Sequence, residues 1–258
     1  MNQLVCKLLN HRFVFEELVK RDFKTKYKRS ILGIGWSVLA PLLHLLVMQL
    51  IFGTFFGKSV AHYTIYIFAG NICYSFYSEA TSGGMSALLS NADIFSKINV
   101  PKYLFLLSKN VSAIISFCIM ICIFFIFCLM DGLMPTWKYI LLIYPVLCLI
   151  VLNIGIGMIL SALFIFFRDI GYLYDIFKML LMYTSAIFYS VDAFSPDVQW
   201  VFLVNPLHVI IKYFRLIVIN NSIPSVEYHI LMAVYALLAL AIGSYIYKTR
   251  NHKFLYYV

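Results

Sequence analysis

Residues 30–57 run for 28 positions without a charged side chain. An α-helix needs only about 20 mostly apolar residues to cross a bilayer. Four further runs share this character: 59–78, which resumes past Glu79 to about residue 89, then 110–130, 139–167 and 228–247. A sixth, 179–191, is shorter and follows Asp175 and Lys178. In a chain 63% hydrophobic and 12% charged, such runs exclude one soluble globule, which would carry about a quarter charged residues. The expected fold is an all-α polytopic membrane protein with six transmembrane helices, as one domain over 30–258. Residues 1–29 form an amphipathic interfacial segment ahead of it.

The basic residues orient the spans. In residues 21–29, six of nine side chains are charged and five are basic. With both ends cytoplasmic, the inner segments hold fifteen of the 20 Lys and Arg: eight in the N-terminal arm, three near 97–109, Arg168, and three in the tail. The outer segments hold Lys58, Lys138, Lys212 and Arg215. This positive-inside bias favours cytoplasmic termini. Arg21, Lys24, Lys26, Lys28, Arg29 and the following Trp36 read as an interfacial anchor, held at anionic lipid by about 1 kcal/mol per charge. Leu4, Leu8, Phe15, Leu18 and Val19 recur at roughly helical spacing in the arm, as in a helix lying in the interface plane. The net charge of +9 is explained by lipid and topology, and nucleic acid is not an expected partner.

Motifs for chemistry are missing. FGTFFGKS at 52–59 imitates a phosphate-binding loop, but Phe52 occupies the first glycine position and a spanning helix precedes it. There is no HExxH, no GxSxG and no paired-carboxylate arrangement, and the six Cys lack metal-ligand spacing. The chain reads as a non-enzyme without a cofactor or metal of its own.

Two stretches exceed what a plain bundle needs. Residues 90–102 join spans two and three on the cytoplasmic side. Asn91 or Asp93 suits the cap of a short helix with Ile94, Phe95 and Ile98 on one stripe, ended by Pro101. Such a helix fits a partner's groove or the membrane surface. Residues 195–224, between spans five and six, are apolar but broken at Asn205-Pro206, so re-entrant or interfacial helices are expected there, as a candidate outer gate including Trp200. Tyr and Phe together number 42. Tyr66, Tyr74, Phe76 and Tyr77 in span two and Tyr183, Phe188 and Tyr189 near span five are either ordinary packing or a glycan pathway. A Tyr offers a flat ring to sugar C–H faces and a hydroxyl to sugar hydroxyls. Glu79, the acid well inside a span, faces a cavity or a partner.

The stretch VKRDFKTKYKRSILGIGWSVLAPLL resembles the start of the first span in type-2 ABC transporter permeases, in the branch that exports polysaccharides. The resemblance runs through Arg21, Asp22, Lys24, Lys26, Tyr27 and Lys28, then Ser30, Leu32, Gly33, Trp36 and Pro41. NADIFSKINVPKYLFLLS, FFRDI at 166–170, SAIFYS at 185–190 and Asn205-Pro206 follow in the expected order. The chain departs at Ala40-Pro41, where Asn-Pro is common, and at Ser185-Ala186-Ile187, where Ser/Thr-Pro-Ile is common. The resemblance implies a homodimer with two ATP-binding subunits, which hold ATP and Mg. The segment around Asn91, Asp93, Ile94, Phe95 and Lys97 would be their coupling helix. A lipid-linked polysaccharide such as O-antigen would be the substrate, and the inner membrane the location. A permease for a small hydrophobic molecule is the alternative, followed by a membrane enzyme and a secondary transporter.

Overall fold

The computed structural model describes residues 11–27, 32–57, 60–97, 100–250 and 254. Among them every regular element is helical. The order is α1 (Arg12–Tyr27), α2 (Trp36–Phe56), α3 (Tyr63–Ser86), α4 (Ala92–Lys97), α5 (Tyr103–Met130), α6 (Ile143–Phe166), α7 (Ile170–Thr184), α8 (Pro196–Leu203), α9 (Pro206–Val218) and α10 (Val226–Arg250). Residues 52–56 of the loop-like motif lie inside α2, as the missing first glycine implies.

Among the described residues, four helices are long and apolar enough to cross a membrane: α2, α5, α6 with its 3-10 lead from Trp137, and α10. The pair α8 and α9, bent by 108° at Asn205, makes a fifth if counted as one span. The other two expected spans take different forms. At 24 residues α3 is long enough, but Tyr, Ser, Thr, Asn and Glu lower its apolarity. It occupies the middle of the bundle, packed on α2, α5, α6 and α9, so protein rather than lipid covers it. At 15 residues α7 rises only about 22 Å, short of a ~30 Å hydrocarbon core.

Helices α6 and α10 pack at backbone distance. A Cβ on Gly155 would lie 2.4 Å from the Ala239 carbonyl carbon, and one on Gly243 would lie 2.7 Å from the Gly155 oxygen. Only glycine permits that approach. By contrast α2 and α7 are mostly exposed: Leu43, Leu46, Leu50 and Phe55 on the first, Tyr172, Ile176, Met179 and Leu180 on the second.

A second core gathers at the end of the bundle bearing α1 and α4, from Leu18, Phe95, Leu104, Phe105, Ile165, Tyr247 and Phe254. Helix α1 docks on α5, with Val14, Phe15 and Leu18 turned inward and Phe13 outward. Of the expected stripe, Phe15 and Leu18 face this core, while Leu4, Leu8, Lys28 and Arg29 lie outside the described residues.

Candidate functional site

Helix α3 organises the site because three of its faces carry three different chemistries. Helical neighbours fall at i, i+3, i+4 and i+7. On the first face stand Ile72, Ser75, Phe76 and Glu79, lining a cavity of about 310 Å³ between α2, α3 and α5. Trp36, Ser37 and Pro41 close it from α2, and Ser116 and Phe117 from α5. The Phe76 and Phe117 rings stack at 4.5 Å, and the Ser116 hydroxyl donates to Glu79 Oε1 at 3.4 Å. Aromatic faces beside hydroxyls and a carboxylate form a surface that suits a sugar ring. The sequence named Trp36, Phe76 and Glu79 separately; the fold brings them together.

The second face, Tyr74, Tyr77 and Thr81, is turned to α7. Tyr74 donates to the Lys178 carbonyl at 2.9 Å, Tyr174 donates to Thr81 Oγ1, and Tyr77 is buried. Lys178 Nζ reaches Ser82 Oγ at 2.9 Å and Asp175 at 2.8 Å. These contacts attach α7 to the bundle, and neither Tyr74 nor Tyr77 lines this cavity or the larger one near Asn205. The sequence grouped both with the aromatic set of a glycan pathway; here they face α7, since the sequence shows aromatic content but not which helix covers it.

The third face, Tyr63, Tyr66 and Gly70, meets an unwound segment. After α7 ends at Thr184, residues 185–190 are irregular, and Ser185 to Phe188 are buried. Ala186 sits at φ 52°, a left-handed conformation costly for a residue with a Cβ. A backbone carbonyl buried this fully and left unpaired would cost about 1–3 kcal/mol. Instead, five consecutive carbonyls each receive a side-chain donor. His208 Nδ1 lies 3.3 Å from Ser185 O and must carry its proton there, since a carbonyl only accepts. Arg215 donates to Ala186 O at 2.8 Å and Ile187 O at 3.0 Å. Tyr63 and Tyr66 hydroxyls donate to Phe188 O and Tyr189 O, both at 2.8 Å.

Arg215 is the central member. Only 6% exposed, it also donates twice to Tyr66 O, at 3.2 and 3.1 Å, and lies 3.4 Å from the Tyr66 ring centroid. A Cβ at position 70 would come within 2.9 Å of its Nη2, so Gly70 makes room for it. No carboxylate among the described residues pairs with it. The sequence reading counted Arg215 only as an outer loop cation.

Asn205 and Pro206 shape the bend. Pro206 occupies the first turn of α9, and Asn205 Oδ1 accepts from Leu207 N at 2.9 Å as the cap. Asn205 Nδ2 donates to Ser185 Oγ at 3.0 Å, joining the bend to the unwound segment. Trp200, expected with them, points away on α8 at 66% exposure. Beside this bend opens a second cavity of about 870 Å³, lined by Phe56, Tyr66, Tyr189, Asp192, His208, Lys212 and Arg215 among others. Tyr189 donates to Tyr183 O at 2.9 Å, Tyr183 is exposed, and Phe188 stacks on Phe52 at 4.5 Å.

At the opposite end, Asp22 links α1 to α5 and to the turn before α4. Its side chain, 4% exposed, accepts from Lys109 Nζ, Ser108 Oγ and Arg21 Nη2, each at 2.9 Å. Arg21 also donates to Asn91 Oδ1 at 2.6 Å, while Asn91 Nδ2 donates to Ala87 O at 2.7 Å. The Asn91 amide is therefore engaged in this network rather than capping α4, and Arg21 is tied into protein rather than left to lipid. Lys24 is exposed. Helix α4 has six residues. Its Phe95 turns inward at 6% exposure, 6.0 Å from the Phe105 ring, so it is not an outward apolar knob. Asp93 and Lys97 are exposed and Ile94 is half-buried. Lys102 lies over the Phe95 and Phe254 rings, at 5.6 and 5.4 Å, and burial lowers its pKa.

Comparison with known proteins gives one family and several relatives. The family described as ABC-2 type transporter matches residues 14–219. The chain is similar to the O-antigen export system permease protein RfbA of Myxococcus xanthus, 25% identical over 258 residues and 98% of each chain. It is similar to the protein of that name from Klebsiella pneumoniae, 25% identical over 250 residues, 95% of this chain and 96% of the relative. It is also similar to the polysialic acid transport protein KpsM of Escherichia coli, 24% identical over 247 residues, 93% of this chain and 94% of the relative.

Proposed function

The chain belongs to the ABC-2 type transporter family, and from that premise we propose that it is the membrane permease of a polysaccharide exporter. The observation that carries this reading is the extent of the likeness. Relatives named for O-antigen export and polysialic acid transport align with nearly the whole chain, through the unwound segment and the bend at Asn205. The substrate is a lipid-linked polysaccharide, O-antigen before other glycans, moved outward across the inner membrane. Two copies of the chain pair with two ATP-binding subunits, which hold ATP and Mg and do the hydrolysis, so the permease is not itself an enzyme.

In this reading α3 and the short α7, continued by its unwound segment, complete six spans, with both termini cytoplasmic as the basic residues favour. The ATPase pushes on α4 at its exposed residues Asp93 and Lys97. The Arg21–Asn91 and Asp22–Lys109 contacts pass that displacement to α1 and α5. The glycan lies against Trp36, Phe76, Phe117 and Glu79 in the inner cavity, and leaves past Tyr66 and Tyr189. Aromatic faces bind sugars through many weak contacts, which allows sliding without tight capture. The exposed apolar faces of α2 and α7 meet the second copy and lipid.

Two linked measurements test this. The tagged chain, extracted from native membranes in mild detergent, should bring down an ATP-binding subunit in equal amount. Deleting its gene should leave lipid-linked glycan inside the cell and none on the surface. Unchanged surface glycan after deletion would refute the substrate, and purification without any ATPase would refute the transporter class.

A further inference from the structure

The outer cavity carries an electrostatic feature that export of a neutral glycan does not require. Two cations, Lys212 and Arg215, and His208 face into it, against one acid, Asp192. The Arg215 guanidinium is spent on carbonyls and a tyrosine ring, which satisfy its N–H groups but leave its charge in place. Lys212 is differently situated. Its Nζ stands 3.8 Å from Asp192 Oδ1, longer than a charge-assisted hydrogen bond of ~2.7–2.9 Å, and 5.9 Å from the Tyr228 ring. Asp192 is mostly exposed and held instead by Ser190, whose hydroxyl donates to Oδ2 at 2.9 Å. The cavity therefore contains a cation with an incomplete partner, next to a buried positive charge and beside the rings of Tyr66 and Tyr189.

From this arrangement we propose that the outer cavity is a binding site for an acidic sugar. Lys212 takes its carboxylate or phosphate, Tyr66 and Tyr189 cover its ring, and Asp192 is the intramolecular competitor it displaces. The guanidinium of Arg215 contributes a fixed field and stays with its carbonyls. A charge held in a recess with protein walls attracts an anion more strongly than one on an open surface. The inference deepens the polysaccharide-export reading and rests on it: the exported chain carries negative charge on its sugars.

The test uses the full chain in phosphatidylcholine nanodiscs at low ionic strength, with a radiolabelled tetramer of glucuronic acid and its carboxyl-reduced, neutral counterpart. One charge-assisted hydrogen bond corresponds to about tenfold in affinity, so the acidic tetramer should bind about tenfold more tightly than the neutral one. Lys212→Gln should remove that preference while the neutral tetramer binds as before, and Asp192→Asn should strengthen acidic binding. Inorganic phosphate that competes only with the acidic tetramer supports the site. Equal binding of the two tetramers, or a preference unchanged in Lys212→Gln, overturns the proposal. Failure of the export reading is separable, because it appears as intact surface glycan in the deletion strain whatever the tetramers do.

Discussion

Replacing Arg215 with Met keeps the length and apolar stem of the side chain and removes its guanidinium. Three carbonyls, those of Tyr66, Ala186 and Ile187, then lose their side-chain donors. Tyr66 O keeps its backbone donor within α3, so two acceptors are left unpaired, and at about 1–3 kcal/mol each they set an upper bound near 6 kcal/mol. Removing the cation also removes its own desolvation penalty, several kcal/mol in a buried site. The net destabilisation is about 3 kcal/mol, or roughly 6–12 °C in Tm for a chain of this size. Arg215→Lys retains the charge but places its donors on one nitrogen, which cannot span Tyr66 O and Ala186 O as the planar fork does. It should fall between wild type and Met. Thermal unfolding in detergent reads the first quantity. Maleimide labelling of a thiol introduced by Ser185→Cys reads opening of the unwound segment, which should be slow in the Arg215 background and fast with Met. A Met variant that unfolds within about 1 °C of wild type, with the introduced thiol still protected, would refute the view that Arg215 holds this segment together.

Asp22→Asn should release α1 at a cost of about 1.5–3 kcal/mol, the range for hydrogen bonds to a charged group. Faster proteolysis after residue 27 and weaker export check it, and an unchanged cleavage rate would count against docking of α1 through Asp22. Phe95→Ala should cost about 3–5 kcal/mol as a core truncation, whereas Lys97→Glu on the exposed side should leave Tm unchanged and lower substrate-stimulated ATPase activity. If Lys97→Glu destabilises and Phe95→Ala does not, the orientation of α4 is reversed. Gly155→Ala forces its Cβ against the backbone of α10 and should lower stability by about 1–3 kcal/mol or more; an unaffected Tm would mean that α6 and α10 separate freely.

Long apolar runs made α2, α5, α6 and α10 legible, because crossing a bilayer is a demand that each segment meets alone. The bend at Asn205-Pro206 was legible for a similar reason, since Pro at the start of a helix and Asn before it are local signals. Arg215 was not. Its role depends on carbonyls of Tyr66, Ala186 and Ile187, between 28 and 149 residues away, and nothing in its neighbourhood marks a cation as a carbonyl clamp. The aromatic set divided for the same reason. Tyr66, Phe76 and Tyr189 border cavities, while Tyr74 and Tyr77 secure α7, and only the packing around α3 separates the two uses. Phe95 shows the limit of amphipathicity, which reveals that a face is apolar but not whether the chain itself covers it.

Docking of α1 also dictates an order of synthesis. Asp22 is made before its anchors, since Ser108 and Lys109 follow it by 86 and 87 residues. At about 5–20 residues per second of translation, α1 waits roughly 4–17 s as a charged helix with no berth. Its seat on α5 therefore forms late: the first helix emerges early and docks only when Ser108 and Lys109 have been made.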